Sequence, residues 1–174
     1  MADWEASLRL GSFFAVFILF ALLEYRRPYR PVSRRRWWNN LGLSLLGTLL
    51  LRLVFPAAAT GGALWAAAEN VGLANRFALP LAVSVPLGMV LLDLLIYWQH
   101  RLFHRLRWLW RLHRVHHADL AVDVSTGLRF HPLEFVLSML IKAAAVALLG
   151  LPAQAVLLFE LWLNACALFN HSNI

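Results

Sequence analysis

Hydrophobic positions fall in long uninterrupted blocks separated by short polar segments, a pattern typical of membrane-spanning helices. The blocks predict a first span over about Leu8–Tyr25 and a third over about Leu79–Trp98. Between them, an apolar stretch from about Leu41 to Ala68 contains Pro56, which kinks or ends a helix. This second stretch is therefore either one long kinked span or a span followed by a piece that lies at the membrane surface.

Two further apolar runs predict a helical hairpin near the end of the sequence. They cover Leu133–Leu149 and Ala153–Phe169, and Gly150-Leu151-Pro152 between them is a strong turn signal. Each run is at the short end of the roughly 17–25 residues that a spanning helix uses. The pattern as a whole predicts an all-α integral membrane helical bundle with four or five embedded helices.

Composition agrees with a membrane protein and argues against a nucleic-acid-binding one. The chain is 61% hydrophobic, with a mean hydropathy of +0.64. Its net charge is +7, carried by fifteen arginines and one lysine. The arginines flank the apolar runs, and cytoplasmic loops carry such an excess of positive charge. We therefore expect no nucleic acid partner. We expect the arginines to lie at the cytoplasmic face of a membrane.

Two arginine-rich segments agree on the orientation. Residues 26–36 contain six arginines, and residues 101–114, directly after the third span, contain five. Alternating spans bring both segments to the same side, which predicts that the second segment also faces the cytoplasm. Because positive charge follows the first span instead of preceding it, we expect a retained anchor and not a cleaved signal peptide. Cys166 lies in an apolar run and is interpreted as a small buried hydrophobe.

The histidines carry the strongest chemical signal. All seven lie in the last 75 residues, and five of them fall within 18 positions. These five are His100, His104, His113, His116 and His117. Residues three or four apart share one face of a helix, so each group presents its imidazoles together. Neutral imidazole is a common ligand for iron, zinc and copper, and the spacing predicts a metal site at the membrane surface.

The choice of metal follows from the residues that accompany the histidines. A zinc protease would need a glutamate after the first histidine, whereas Arg101 stands there. Structural zinc sites usually use cysteines, and the chain has one. Bis-histidine haem needs one histidine on each of two facing helices, and soluble di-iron bundles use Glu-x-x-His pairs. A histidine-rich non-haem di-iron centre fits this pattern.

Four motifs follow one another from about residue 90 to the end: Asp93-x-x-x-Tyr97-Trp98-x-His100-Arg101-x-x-His104, His113-x-x-His116-His117, Arg129-Phe130-His131-Pro132-x-Glu134 and Asn170-His171-Ser172-Asn173. Their order and spacing resemble the fatty acid hydroxylase/sterol desaturase superfamily. The resemblance implies that the first two hold metal-ligand boxes. His131 and His171 match further family histidines, and His171 also returns to the same side through the hairpin.

The resemblance implies a membrane-bound enzyme with two non-haem iron ions that uses O₂ to hydroxylate or desaturate a lipid. It further implies an electron-transfer protein or reductase as external donor. Members carry another His-x-x-His-His box downstream, so the sequence is expected to be truncated before it. The chain divides into residues 1–77, membrane spans with the arginine-rich loop, and residues 78–174, the hydroxylase-like part. The alternatives are a histidine-rich metal-binding or metal-transport protein and a non-catalytic membrane scaffold.

Four acidic residues lie near the histidines in the sequence, and their patterns predict different roles. Asp93 lies inside a span, seven residues before His100, and is predicted to support a metal-bound imidazole. Asp119 and Asp123 are interpreted as solvated loop acids. Glu134 follows a proline and is either a helix N-terminal acid or a partner of the site.

Overall fold

The computed structural model describes residues 2–174, with side chains from Trp4 onward, and this part of the chain contains helices and no strand. The α-helices in it are α1 (Ala2–Arg26), α2 (Trp37–Val54), α3 (Ala58–Ala68), α4 (Leu73–Arg76), α5 (Leu81–Arg105), α6 (Arg107–His113), α7 (Pro132–Leu149) and α8 (Ala153–Asn170). Short 3₁₀ turns lie at Arg34–Arg36, His116–Ala118 and Val124–Leu128. The predicted all-α fold is confirmed.

Five helical segments in the described residues are long and apolar enough to cross a membrane. They are Trp4–Arg26, Arg34–Arg76, Leu81–Arg105, Pro132–Leu149 and Ala153–Asn170. Large apolar side chains cover the outside of the bundle: Leu53 is 81% exposed and Leu148 is 72% exposed. Such a surface suits hydrocarbon rather than water, and the chain is an integral membrane protein.

The second apolar stretch forms a span followed by a separate helix. α2 ends at Val54, next to Pro56, and α3 resumes at Ala58. The polar segment Asn70–Arg76 contains the one-turn helix α4. The two halves of the predicted domain division pack closely, because α2 and α3 both contact α7. The boundary at residue 77 stays a prediction.

Small residues let the central helices approach closely. Gly88 on α5 faces Ala155 on α8, and a Cβ added at Gly88 would lie 2.9 Å from the Ala155 Cβ. In a bilayer, where lipid is as apolar as leucine, this close packing is a main source of helix association. Around it, α3, α5, α7 and α8 share one buried core. The core therefore holds the ends of α5 and α8 at fixed positions.

The hairpin turn forms as predicted. Gly150 ends α7 in the left-handed conformation, with φ 65°, and Pro152 precedes the first residue of α8. This conformation suits glycine because it has no Cβ to clash. The turn directs α8 back along α7, so the residues after Asn170 return to the end of the bundle where α7 begins.

Candidate metal centre

The last turn of α5 supplies the first two histidines. The third apolar block was expected to end at Trp98, but the helix continues without a break to Arg105. His100 and His104 therefore lie one turn apart on the same face, as predicted, with their Nε2 atoms 3.1 Å apart. Both side chains are exposed, so this edge of the site is open.

A sharp bend after α5 brings the next histidine back onto the first two. Leu106 adopts an extended conformation, with φ −94° and ψ 121°, and α6 starts directly after it. His113, at the end of α6, is 1% exposed. Its ring centroid lies 4.7 Å from that of His100 and 4.9 Å from that of His104.

His117 completes a group that we call the four-histidine cluster. Its members are His100, His104, His113 and His117, and one nitrogen from each lies within 4.8 Å of the others. The Nε2 atoms of His117 and His113 are 3.3 Å apart. Trp110 packs over His104 and His117, with ring centroids 5.3 and 5.6 Å away. This tryptophan forms a wall of the cluster.

Glu134 orients His113. Its Oε1 accepts a hydrogen bond from His113 Nδ1 over 2.7 Å, and both side chains are buried. With the proton on Nδ1, the Nε2 of neutral His113 carries a free lone pair directed into the cluster. Carboxylates commonly hold metal-binding imidazoles in this way. Glu134 Oε2 is buried without a hydrogen-bond partner in the described residues, which leaves negative charge available to a cation bound at His113.

Two more histidines form what we call the His116–His171 pair. Backbone carbonyls can only accept, so His116 Nδ1 donates to Arg129 O over 3.2 Å and His171 Nδ1 donates to Ala167 O over 2.7 Å. The Nε2 atoms then both carry lone pairs, and they lie 3.0 Å apart. Two lone pairs at this separation repel each other unless a cation lies beside both.

The donor distances fit metal ligation. Imidazole nitrogens bind a metal such as zinc at about 2.0–2.1 Å, so two of them at right angles on one ion are about 3 Å apart. The His116–His171 pair and the His100–His104 contact both meet that separation. The pair also adjoins the cluster, since the rings of His116 and His117 are 5.0 Å apart. The six histidines thus provide two neighbouring sets of donors.

Burial and neighbouring imidazole rings keep His116 and His117 neutral. Burial lowers the pKa of His116 to about 3, and the nearby His171 and His113 rings add to the effect because like charge disfavours protonation. Burial, followed by His113 and His104, also lowers the pKa of His117. Only neutral imidazole can bind a metal, so these two rings are competent ligands at neutral pH.

Two predicted site residues, His131 and Asp93, do not belong to the four-histidine cluster or to the His116–His171 pair. His131 is the N-cap of α7, and its Nδ1 accepts a hydrogen bond from the Leu133 backbone over 3.2 Å. Pro132 follows at the start of the helix, where its fixed backbone conformation is tolerated. Asp93 is exposed on α5, and no hydrogen bond joins it to a histidine among the described contacts. The metal role of His131 and the supporting role of Asp93 stay predictions.

The interpretation of Asp119 and Asp123 as solvated acids is wrong. Both side chains are almost fully buried and form ion pairs with Arg36, at 2.6 Å between Arg36 Nη2 and Asp123 Oδ2. Burial raises the pKa of Asp119, but hydrogen bonds from Asn40, Arg36 and Thr126 outweigh it and hold the pKa below its usual value. The acids are buried because an arginine more than 80 residues away in sequence neutralises them.

These acids belong to a network that supports His116. Asn40 donates to Asp119 Oδ2 over 3.0 Å and accepts from Arg129 Nη1 over 2.9 Å. The Arg129 side chain also donates to Val115 O, and the Arg129 carbonyl oxygen accepts the hydrogen bond from His116 Nδ1. The pattern of the sequence did not indicate a role for Asn40. The feature that could have indicated one is its position as a polar residue in the first turn of an apolar helix, because a buried polar side chain needs a hydrogen-bond partner.

Comparisons with known proteins identify the family of this chain. The fatty acid hydroxylase family profile matches residues 85–174, just over half of the chain and the part that holds every histidine. An ornithine lipid hydroxylase from Rhizobium tropici is 31% identical over 99 residues, which cover 55% of this chain. They cover 29% of that relative, so the chain spans less than a third of its length. No solved structure matches the chain significantly. With a histidine-rich donor set inside the matched region, the chain belongs to the fatty acid hydroxylase family.

Proposed function

We propose that this protein provides the metal centre of a membrane-bound non-haem di-iron enzyme that hydroxylates a lipid with O₂. The observation that carries the proposal is the pair of neighbouring donor sets: the four-histidine cluster and the adjoining His116–His171 pair. The family match and the ornithine lipid hydroxylase relative support lipid hydroxylation. Desaturation of the lipid is the other reaction of the same chemical class.

Iron held by these histidines would supply the oxidising power that no side chain has for an unactivated C–H bond. The overall reaction balances as R–H plus O₂, two electrons and two protons, giving R–OH and water. The family resemblance implies that the two electrons come from an external donor, an electron-transfer protein or reductase. The arginine-rich face at the same end suits an acidic protein of this kind.

The residues of the chain have separate tasks in this reaction. Glu134 and the Arg129 carbonyl fix the ring orientation of His113 and His116, so their Nε2 atoms point into the site. His100, His104 and His117 are exposed, which leaves an open side for a substrate. Because α5 and α8 both end here, a lipid in the bilayer reaches the centre at headgroup level. We place this face at the cytoplasm, since the arginine-rich segment adjoins it.

The test uses the intact protein purified in detergent. We expect iron to copurify, and His104→Ala and His116→Ala each to abolish lipid hydroxylation while membrane insertion is unchanged. Bound metal is measured by elemental mass spectrometry, and products by mass spectrometry of lipid extracts. Near-wild-type product from either variant would contradict the proposal. Copurifying labile zinc or copper without any oxidised lipid would instead favour a metal-binding or metal-transport protein, although transporters hold their ligands near the midplane.

A further inference from the structure

An apolar groove runs between α1 and α8 and opens toward the bilayer. Its volume is about 290 Å³. The residues that line it are Val16, Leu19 and Phe20 from α1, and Trp162, Ala165, Cys166 and Phe169 from α8. No other helix contributes to its lining. Since α1 packs mainly on α8, this groove is a natural place for a hydrocarbon chain to lie along the bundle.

The groove ends beside the metal centre. Phe20 and Phe169 line it at one end, with ring centroids 5.7 Å apart. Two residues beyond Phe169, His171 turns inward to His116. The end of the apolar groove at Phe169 is therefore two residues in sequence from the His116–His171 pair.

A polar pocket of about 160 Å³ lies beyond the same end of α1 and α8. Glu24, one turn after Phe20, lines it together with Arg34 and Asn173. Glu24 Oε1 accepts from the Val124 and Asn173 backbones, over 2.7 Å in each case. Glu24 is 5% exposed, and its Oε2 forms no hydrogen bond among the described contacts. This pocket therefore offers a carboxylate oxygen that is free to accept a donor.

Arg34 supplies the opposite charge. Its guanidinium stacks on Tyr25 and Trp37, at 5.0 and 5.7 Å from the ring centroids. Stacking fixes the planar group but leaves its N–H donors without an acceptor among the described side chains. Arg34 and Glu24 are close enough to interact electrostatically but do not form an ion pair. A free cation and a free anion facing one pocket match a headgroup that carries both charges.

We infer that the apolar groove and the polar pocket together bind one zwitterionic aminolipid, with its acyl chain between α1 and α8 and its headgroup between Arg34 and Glu24. Arg34 holds the carboxylate of the headgroup and Glu24 holds its ammonium. This inference rests on the proposed function, because it identifies the substrate class of the same centre. An ornithine-based lipid has both charges, which makes it the appropriate probe.

The single cysteine of the chain reports on occupancy. Cys166 lines the apolar groove, so a bound acyl chain should slow its alkylation by N-ethylmaleimide in detergent. We expect a long-chain ornithine lipid to protect Cys166. The carboxylate methyl ester of the same lipid, and the variants Arg34→Gln and Glu24→Gln, should each need about tenfold more lipid for equal protection, since a charge-assisted hydrogen bond is lost. Arg35→Gln, at the exposed neighbouring arginine, is the matched control and should behave as the unaltered protein.

A second measurement does not depend on the cysteine. Ala165→Phe fills the groove and should abolish retention of the ornithine lipid in native mass spectrometry, whereas Leu148→Phe on the outer face of α7 should retain it. Absence of protection in the unaltered protein, or equal behaviour of Arg34→Gln and Arg35→Gln, would overturn the inference. Neither readout requires turnover. Intact protection without hydroxylation would reject only the proposed function, and hydroxylation without protection would reject only this binding site.

Discussion

At the scale of residues, the chemistry depends on which nitrogen of each histidine carries the proton. Hydrogen bonds to Glu134, Arg129 O and Ala167 O place the proton on Nδ1 of three buried or half-buried rings. Their Nε2 atoms then carry the lone pairs that could bind a metal. His131 has the opposite arrangement, because its Nδ1 accepts a backbone hydrogen bond. A neutral ring of that tautomer keeps its proton on Nε2 and has no free lone pair.

The first prediction compares His171 with His131. We expect His171→Gln to lower bound iron to the level of His116→Ala, because glutamine keeps a hydrogen-bonding group but is a poor iron ligand. His131→Asn should keep the full iron content, since asparagine caps a helix as well. Elemental analysis of the intact purified protein measures both. Normal iron in His171→Gln would remove that residue from the ligand set, and loss in His131→Asn would restore His131 to it.

The second prediction concerns Glu134. Replacing it with glutamine keeps its shape and an acceptor but removes the charge that supports His113. We expect iron affinity to fall about 10- to 100-fold, as for other carboxylates behind a metal-bound imidazole. Competition with a chelator measures the affinity. Asp93→Asn serves as the comparison, because Asp93 lies about 10 Å along the helix axis from His100. An equal loss of iron affinity would support the predicted role of Asp93, and an unchanged affinity would reject that role.

At the scale of elements, the position of the centre depends on how α7 and α8 are joined and held. The turn at Gly150 sets the path of α8. Inside the bundle, Glu160 of α8 pairs with Lys142 of α7 and with Arg9 of α1. Arg9 pairs with Glu5 as well, at 2.9 Å. These contacts explain why Lys142 is tolerated in the middle of an apolar run.

The third prediction is that Gly150→Ala destabilises the hairpin. A non-glycine residue in the left-handed conformation costs about 1–2 kcal/mol, and a Cβ here would also lie 3.0 Å from Asn75 Nδ2 and from the Gly72 carbonyl carbon. Thermal unfolding in detergent measures the change. Gly62→Ala in α3, where the added Cβ meets nothing within 4 Å, should instead stabilise by about 0.5–1 kcal/mol. Equal effects at both positions would contradict the explanation.

The fourth prediction is that Glu160→Ala is strongly destabilising. It leaves Lys142 and Arg9 without their shared carboxylate, and removing one partner of a buried ion pair costs about 3–5 kcal/mol. Glu69→Ala, at an exposed glutamate, should change stability by less than about 0.5 kcal/mol. Unfolding by increasing denaturing detergent compares the two variants. Similar midpoints for both would show that the ion pairs contribute little.

At the scale of the whole molecule, the histidines and the arginine-rich segment lie at the same end of the bundle. The arginine-rich segment meets the loop after the histidines through the Arg36 ion pairs. The four-histidine cluster, the polar pocket and the ends of α1, α5 and α8 lie there together. The rest of the molecule presents an apolar surface to lipid.

The fifth prediction tests the orientation of that end. Cysteines introduced at Tyr29 and Leu120, both well exposed, should be labelled by a membrane-impermeant maleimide only after the cytoplasmic side is opened. A cysteine at Phe77, also exposed and one span away, should be labelled from the outside. Cys166→Ser provides the background. Labelling of positions 29 and 120 from opposite sides would contradict the shared end, and labelling of both from the outside would reverse the orientation.

The sequence by itself determined the long apolar helices, the hairpin turn and the identity of the histidines, because hydrophobic periodicity, turn residues and side-chain chemistry are local properties. Only the tertiary structure decided how those histidines combine. The bend at Leu106 and the return of α8 bring residues 100 to 171 together. The burial of Asp119 and Asp123 and the role of Asn40 depended on contacts with residues about 80 positions away. Such long-range pairing has no signature in a local pattern, since each partner alone is an ordinary polar residue.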